Sequence, residues 1–199
     1  MSLRPWDVVF AVGFVVYCVT RGVYERRAKG HERTGRRGGG VEILLFALMG
    51  VGAMLLPVLH LVTPWLSFAE YDLPEAVPWC GAAVMVAGLW LFHRSHADLG
   101  VNWSVTLELR KEHELVTQGV YRRIRHPMYA AIWLFSPGQG MLLANWLAGW
   151  SACAAFAAMY LVRLPREERM MEEAFGDSWR DYARRTGRIF PRLGGTSGG

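Results

Sequence analysis

An all-α, polytopic membrane fold of about five spanning helices is what this chain predicts, and three observations predict it. Hydrophobic residues make up 52% of the 199, nine of them Trp, and they come in blocks rather than in alternation. Three blocks reach or approach the roughly 20 residues that a helix needs to cross about 30 Å of hydrocarbon. Basic residues gather between the blocks, as the positive-inside rule expects of cytosolic loops.

Residues 6–20, WDVVFAVGFVVYCVT, open the first helix, which reaches Tyr24 if Arg21 snorkels, a span of 6–24. Trp6 is its interfacial anchor. An acid, Asp7, rather than a basic cluster precedes the run, and the small-residue cleavage pattern of a signal peptide is missing, so the helix is expected to be retained. Residues 21–40 hold seven Lys or Arg and end in RRGGG, which reads as a basic, flexible cytosolic loop.

The second helix covers 41–66, apolar apart from Glu42 at its start and His60 and Thr63 near its end; Pro57 is expected to kink it and Pro64 to help end it. The link 67–78 carries Glu70, Asp72 and Glu75 and no Lys or Arg, which places it on the opposite face. A third helix follows at 77–94. The stretch from Arg94 to Arg125 is polar, has six Lys or Arg, and returns the chain to the cytosolic side.

Two further helices, 127–144 and 147–164, form a tight hairpin turning at Asn145-Trp146, the first broken near its centre by Pro137 and Gly138. A tail helix over 166–186 places Met171, Phe175, Trp179 and Tyr182 in one sector at about 100° per residue, an amphipathic element lying on the bundle or the membrane surface. Residues 1–193 read as one membrane domain and 194–199 as a disordered polar tail. The three cytosolic segments hold 21 of the 22 basic residues and leave only Arg4 outside. One orientation, with the N-terminus outside, satisfies every loop.

Composition also excludes. The net charge of +5 is explained by loops that bracket apolar spans, and no nucleic-acid recognition motif accompanies it. Cys18, Cys80 and Cys153 lie singly inside apolar blocks, so neither a disulfide framework nor a metal site is indicated. There is no βαβ pattern and no GxGxxG fingerprint.

Chemistry concentrates in RKEHELVTQGVYRRIRHPMY (110–129) and PREERMMEEAFG (165–176). Pro127 follows Arg125-His126 at a helix start, where its missing N–H costs nothing and where free N–H groups suit a carboxylate or phosphate. A capped helix with snorkelling arginines and an interfacial Tyr129 accounts for the same residues, and both readings stay open on local pattern. Glu167 and Glu168 project about 100° apart, so a single pocket is expected to use one of them. Arg163 lies one turn before Glu167 on the same edge, a pairing that is otherwise worth a few tenths of a kcal/mol. His113 has no HExxH partner and no second ligand at useful spacing.

Taken together, HELVTQGVYRRIRHPMY, then LLAN after the next helix, then RxxxEE and FGDSWRDY resemble the isoprenylcysteine carboxyl methyltransferase family and its bacterial relatives. The resemblance covers roughly residues 95–192, about half the chain. It implies an integral membrane enzyme, of the bacterial inner membrane with its site facing the cytoplasm, that uses S-adenosylmethionine without a Rossmann domain. Carried over by motif position, His113, Glu114, Leu115 and Val116 wrap the cofactor with Tyr121 beside them. His126, Pro127, Met128 and Tyr129 form a second wall, Glu167 binds a cationic or hydroxyl part of the cofactor, and Arg163 faces the substrate. Thr106 stands where the family can use a longer polar side chain.

The implied reaction is methyl transfer to a lipophilic acceptor entering from the bilayer beside helices three to five, with the carboxylate of a prenylated cysteine first among acceptors. Phospholipid amines and small thiols are alternatives. The RHPxY element is shared with NADPH-dependent sterol reductases, and a non-enzymatic scaffold anchored at anionic lipid is the remaining class. Oligomeric state is not legible.

Overall fold

The structure, a computed structural model, describes residues 3–28, 39–100 and 115–192. Its helices turn apolar side chains outward. On α1 (Pro5–Ala28), Val8, Val12, Val15 and Val19 form an exposed stripe at i, i+4, i+7, i+11. Ile43 and Leu44 do the same on α2 (Gly40–Gly50), yet Glu42 between the ends of that helix is buried at 7% exposure. Such a pattern suits lipid as the outer solvent.

Pro57 disturbs the second span, as the sequence predicts, but through a wider turn rather than a sharp kink. Lacking an N–H and crowding the carbonyl four residues earlier, proline spoils the regular ladder. Residues Val51–Leu55 form one π-helical turn, closed by the Leu56 N–H to the Val51 carbonyl, before α3 (Leu56–Val62). The span ends at Val62 rather than 66, where the Thr63 hydroxyl and N–H both take the Leu59 carbonyl.

α4 (Ala76–Leu99) runs five residues beyond the expected end. It packs along α5 (Pro127–Leu143), the central helix, whose buried residues include Tyr129, Ala131, Phe135, Gly138, Gln139 and Leu142. In lipid little hydrophobic force drives helices together, so close backbone approach has to supply the contact. A Cβ on Gly138 would stand 3.1 Å from the Gly81 carbonyl oxygen, and one on Gly81 2.7 Å from the Met141 Cβ. Phe10 from α1 and Met85 and Phe135 from this seam fill the core.

Pro137, expected to break the first hairpin helix, sits inside it, and Pro165, which fell between the expected 147–164 and 166–186 helices, is likewise interior to a helix. α5 is continuous through Pro137, and α6 (Trp146–Phe175) is one helix of 30 residues that passes Pro165. A proline interior to a soluble helix costs about 3 kcal/mol. Here contacts on both sides of Pro165 hold the rod: Arg163 to Glu42 before it, Glu168 to Arg125 and Arg188 after it. Arg163, Glu167 and Glu168 therefore share one rigid frame.

Among the described residues, four stretches are long and apolar enough to cross a bilayer: Pro5–Arg27, Gly40–Val62, Ala76–Leu99 and Trp146–Phe175. The 17 residues of α5 rise about 26 Å, a little short of the hydrocarbon thickness. The expected count of five holds only if this inner helix is included. At the end of the bundle where α5 meets α6, Ala144 is left-handed at φ 44°, and Asn145 caps α6 through the N–H groups of Leu147 and Ala148 at 3.0 and 2.9 Å. The acidic link docks there, its Tyr71 N–H on the Ala144 carbonyl.

The tail is not one helix over 166–186. Gly176, left-handed at φ 52°, ends α6, and α7 (Asp177–Arg185) folds back from it. Met171 and Phe175 are thereby separated from Trp179 and Tyr182, which alone are fully buried. The stripe assumed unbroken helical phase; the glycine resets it.

Candidate functional site

At the opposite end of α5, four chain segments meet around His126. Residues 124–126 run beside 187–188: the Arg125 N–H reaches the Gly187 carbonyl at 2.9 Å and the His126 N–H the Arg188 carbonyl at 2.9 Å. Gly187 N–H returns to the Arg123 carbonyl at 3.2 Å. This strap satisfies backbone groups that a helix start would leave orphaned and fixes His126 as the residue before α5, with Pro127 in the first helical position.

His126 is 4% exposed and lies between two carboxylates. Its Nδ1 stands 3.7 Å from Glu167 Oε1 and its Nε2 3.3 Å from Glu168 Oε1. Both glutamates reach the one ring although they project about 100° apart along α6. An imidazole carries nitrogens on two edges and spans the angular gap between adjacent helical residues. Burial opposes charge on the ring, but the hydrogen bonds and charges of Glu167 and Glu168 outweigh it and raise its pKa above the ordinary imidazole value.

The two glutamates differ in what else they hold. Glu168 receives Arg125 Nε at 2.8 Å and Arg188 Nη2 at 2.8 Å, and Arg125 continues to the Thr186 carbonyl at 2.7 Å. That carboxylate is neutralised and ties the C-terminal strap to α6. Glu167 takes the Tyr129 hydroxyl at 2.7 Å. It is half-buried, with the His126 ring on its other side and no arginine bonded to it at hydrogen-bond distance among the described residues.

A second wall comes from the segment after residue 114. Tyr121, buried, donates to the Ser95 carbonyl at 3.3 Å, and its own carbonyl accepts the Tyr182 hydroxyl at 2.7 Å. Val120 N–H binds Asp98 Oδ2 at 2.9 Å. Gly119 is obligatory beside it: φ is +59°, and a Cβ would stand 2.1 Å from that Asp98 oxygen. Trp179 of α7 meets the His126 ring at 6.4 Å, edge to face.

Arg163 is displaced from the role of a simple i, i+4 partner. Its Nη2 is 3.8 Å from Glu42 Oε1 on α2, and its guanidinium lies over the Phe46 ring at 5.1 Å. Tyr129 lies within electrostatic reach of Glu167, Arg163 and Glu42 together, so the two acids and the arginine belong to one region.

Of the residues expected from sequence, Tyr121, His126, Pro127, Tyr129, Arg163 and Glu167 converge here. Met128 is half-buried, and Leu115 and Val116 are half-buried at the start of the second wall. His113, Glu114 and Thr106 lie outside the described residues. Asp98 and Arg188 were not named from sequence, and Glu42, Arg125 and Tyr182 were named only as the start of an apolar run, the residue before His126 and part of a packing stripe, not as site residues. Among the described residues no group of three His, Cys, Asp or Glu is arranged to hold a metal.

A profile of the phospholipid methyltransferase family matches residues 77–178. A probable protein-S-isoprenylcysteine O-methyltransferase from Oryza sativa subsp. indica is 26% identical over 187 residues, covering 93% of this chain and 95% of the rice protein. The cobalt-zinc-cadmium resistance protein CzcN of Cupriavidus metallidurans is 36% identical over 100 residues, covering 50% of this chain and 46% of its own. Among solved structures, that of the eukaryotic intramembrane Ras methyltransferase ICMT, isoprenylcysteine carboxyl methyltransferase, aligns with a TM-score of 0.51 at 25% identity. The alignment covers 75% of this chain, which spans half the length of that one.

Proposed function

The chain belongs to the phospholipid methyltransferase family and is an integral membrane methyltransferase, and from that premise we propose that it transfers a methyl group from S-adenosylmethionine to the carboxylate of a lipophilic, prenylcysteine-like acceptor. The observation that carries this reading is the His126–Glu167–Tyr129 cluster one helical turn from Arg163, at a membrane end of the bundle. Isoprenylcysteine methyltransferases among the relatives support the acceptor. We place the site on the cytoplasmic side of a bacterial inner membrane, where 21 of the 22 basic residues belong.

When bound, S-adenosylmethionine supplies a methyl group on a cationic sulfur. A carboxylate acceptor is already a nucleophile at neutral pH, so attack forms an O–CH₃ bond as the S–CH₃ bond breaks and the opposite charges cancel. No proton moves. What the protein must supply is alignment and a dry site. Glu167, held by Tyr129 and His126, offers a carboxylate to the ammonium or ribose hydroxyls of the cofactor. Arg163 offers charge-assisted hydrogen bonds to the acceptor carboxylate and fixes its approach. His126, whose pKa the two glutamates raise, favours the ionised form of Glu167. Pro127 and Met128 with Tyr121, Leu115, Val116 and the motif residues His113 and Glu114 complete the cofactor walls in this reading.

The test is incubation of the purified, lipid-reconstituted protein with S-adenosylmethionine labelled in the methyl group and an S-farnesylated cysteine compound. Base-labile label in the lipid fraction is the expected result. Label transferred to phosphatidylethanolamine nitrogen instead, or no transfer by folded protein, overturns the carboxylate reading.

A further inference from the structure

The turn that carries Tyr121 into the second wall has no cap of its own. Residues Gly119–Arg122 form a short 3₁₀ turn, and Gln118 before it makes no side-chain cap hydrogen bond. The first N–H groups of such a turn have no partner within it. For Val120 the partner comes from elsewhere in the chain: Asp98 Oδ2, 22 residues earlier, accepts its N–H at 2.9 Å.

Asp98 stands in the last turn of α4, in the extension past residue 94 that the sequence did not predict. That is an unfavourable place for an anion, because the helix dipole puts its negative end there. The i, i+4 pair with Arg94 at 2.8 Å returns little, since the arginine side chain is 45% exposed. Helix stability therefore does not account for a carboxylate at this position, whereas its bond to the turn does.

Neighbouring contacts converge on the same residues. Gly119 is left-handed at φ +59°, and a Cβ there would collide with the Asp98 carboxylate, so the turn approaches α4 as closely as a glycine allows. The Tyr121 hydroxyl reaches the Ser95 carbonyl on α4 at 3.3 Å, and the Tyr182 hydroxyl of α7 holds the Tyr121 carbonyl at 2.7 Å. The chain leaves α4 at Gly100 and is back against Asp98 by Val120, so this bond sets where the segment from Leu115 onward enters the bundle.

We propose that Asp98 is a positioning residue for the cofactor wall: its carboxylate caps the Gly119–Arg122 turn from α4 and holds Tyr121, and with it Leu115 and Val116, where they enclose S-adenosylmethionine. The inference rests on the assignment of that wall in the methyltransferase reading and adds a residue to it. Asp98 touches neither cofactor nor acceptor and exchanges no proton. What the turn needs is an acceptor oxygen, which Asn keeps and Ala removes.

The experiment titrates S-adenosylmethionine calorimetrically into the detergent-solubilised full chain as wild type, D98A, D98N, R94Q and G119A, and measures kcat and KM for the cofactor with an S-farnesylated cysteine compound. In D98A the Kd is expected to rise by roughly tenfold or more, the value of one charge-assisted hydrogen bond, with KM rising in step and kcat at saturation kept. D98N is expected to recover most of that loss, R94Q to bind as the wild type does, and G119A to weaken binding as D98A does. A purely structural bond would lower the unfolding temperature of the unliganded protein and leave Kd alone. Wild-type Kd in folded D98A therefore overturns the positioning role and leaves the methyltransferase reading intact. So does a defect confined to kcat, a D98N as weak as D98A, or an R94Q that loses as much, the mark of an ion pair rather than a cap. Should D98A not fold, wild-type affinity in G119A has the same consequence. No binding to the folded wild type overturns the reading and the positioning role together.

Discussion

The two ends of the α5–α6 hairpin are both polar and both buried, and they are built differently. At the turn, Asn145 is 0% exposed and uses its carbonyl oxygen on two α6 N–H groups and its NH₂ on the Leu66 carbonyl at 2.7 Å. Arg4 joins from α1's start, donating to the Leu143 carbonyl and pairing with buried Asp7 at 3.1 Å, with His60 Nε2 3.2 Å away. At the other end, Glu168 is saturated by two arginines, whereas buried Glu42 has a hydrogen bond on neither oxygen among the described residues and only Arg163 at 3.8 Å. The first end ties three spans together with its polar atoms matched to one another. The second leaves charge incompletely matched, which is what a site that binds charged partners requires.

That contrast can be broken in either direction. The largest expected effect is at Arg163: R163Q should lower kcat/KM for a carboxylate acceptor by roughly a hundredfold through loss of charge-assisted bonds, with cofactor binding by titration retained. If cofactor binding falls with it, acceptor and cofactor roles are not separate. Next is N145A, which removes a helix cap and strands the Leu66 carbonyl; about 2 kcal/mol of stability should be lost in denaturation, with the turnover of folded protein preserved. Turnover falling before stability would erase the distinction between the ends.

The smallest effect is electrostatic. His126 has a pKa raised in the folded state, so its contribution is complete below the ordinary imidazole value of about 6.5 and is lost as pH climbs through the raised value. Thermal unfolding of the wild type relative to H126Q should therefore show a stabilisation at pH 6 that fades on the alkaline side. A stabilisation that grows with pH would mean that the ring is held neutral.

Much of the bundle was legible because lipid imposes a length on apolar runs and sorts basic loops to one side. What misled was proline. Pro137 read as a break by the rules of water-exposed helices, yet it lies inside a continuous helix, and the expected gap at Pro165 is helical too, bracketed by ion pairs on either side. Gly176 was the true end of α6, and a phase argument carried across it joined residues that the fold separates.

In the site, the sequence showed His126, Tyr129, Arg163 and Glu167 because they fall in short motifs. It did not show that His126 engages both glutamates, since ring width is invisible in helical angles. Arg188 and Asp98 act from distant positions with no local mark. Glu42 read as an ordinary acid at the start of an apolar run; its meaning appears only once α2 is placed against α6.

The most direct test of the account is calorimetric titration of S-adenosylmethionine into the detergent-solubilised wild type, E167A and N145A, with folding of each confirmed by helical circular dichroism. Saturable binding to the wild type and N145A, and its loss in E167A, is the predicted result. Wild-type affinity in E167A, or no binding to the folded wild type, would contradict it.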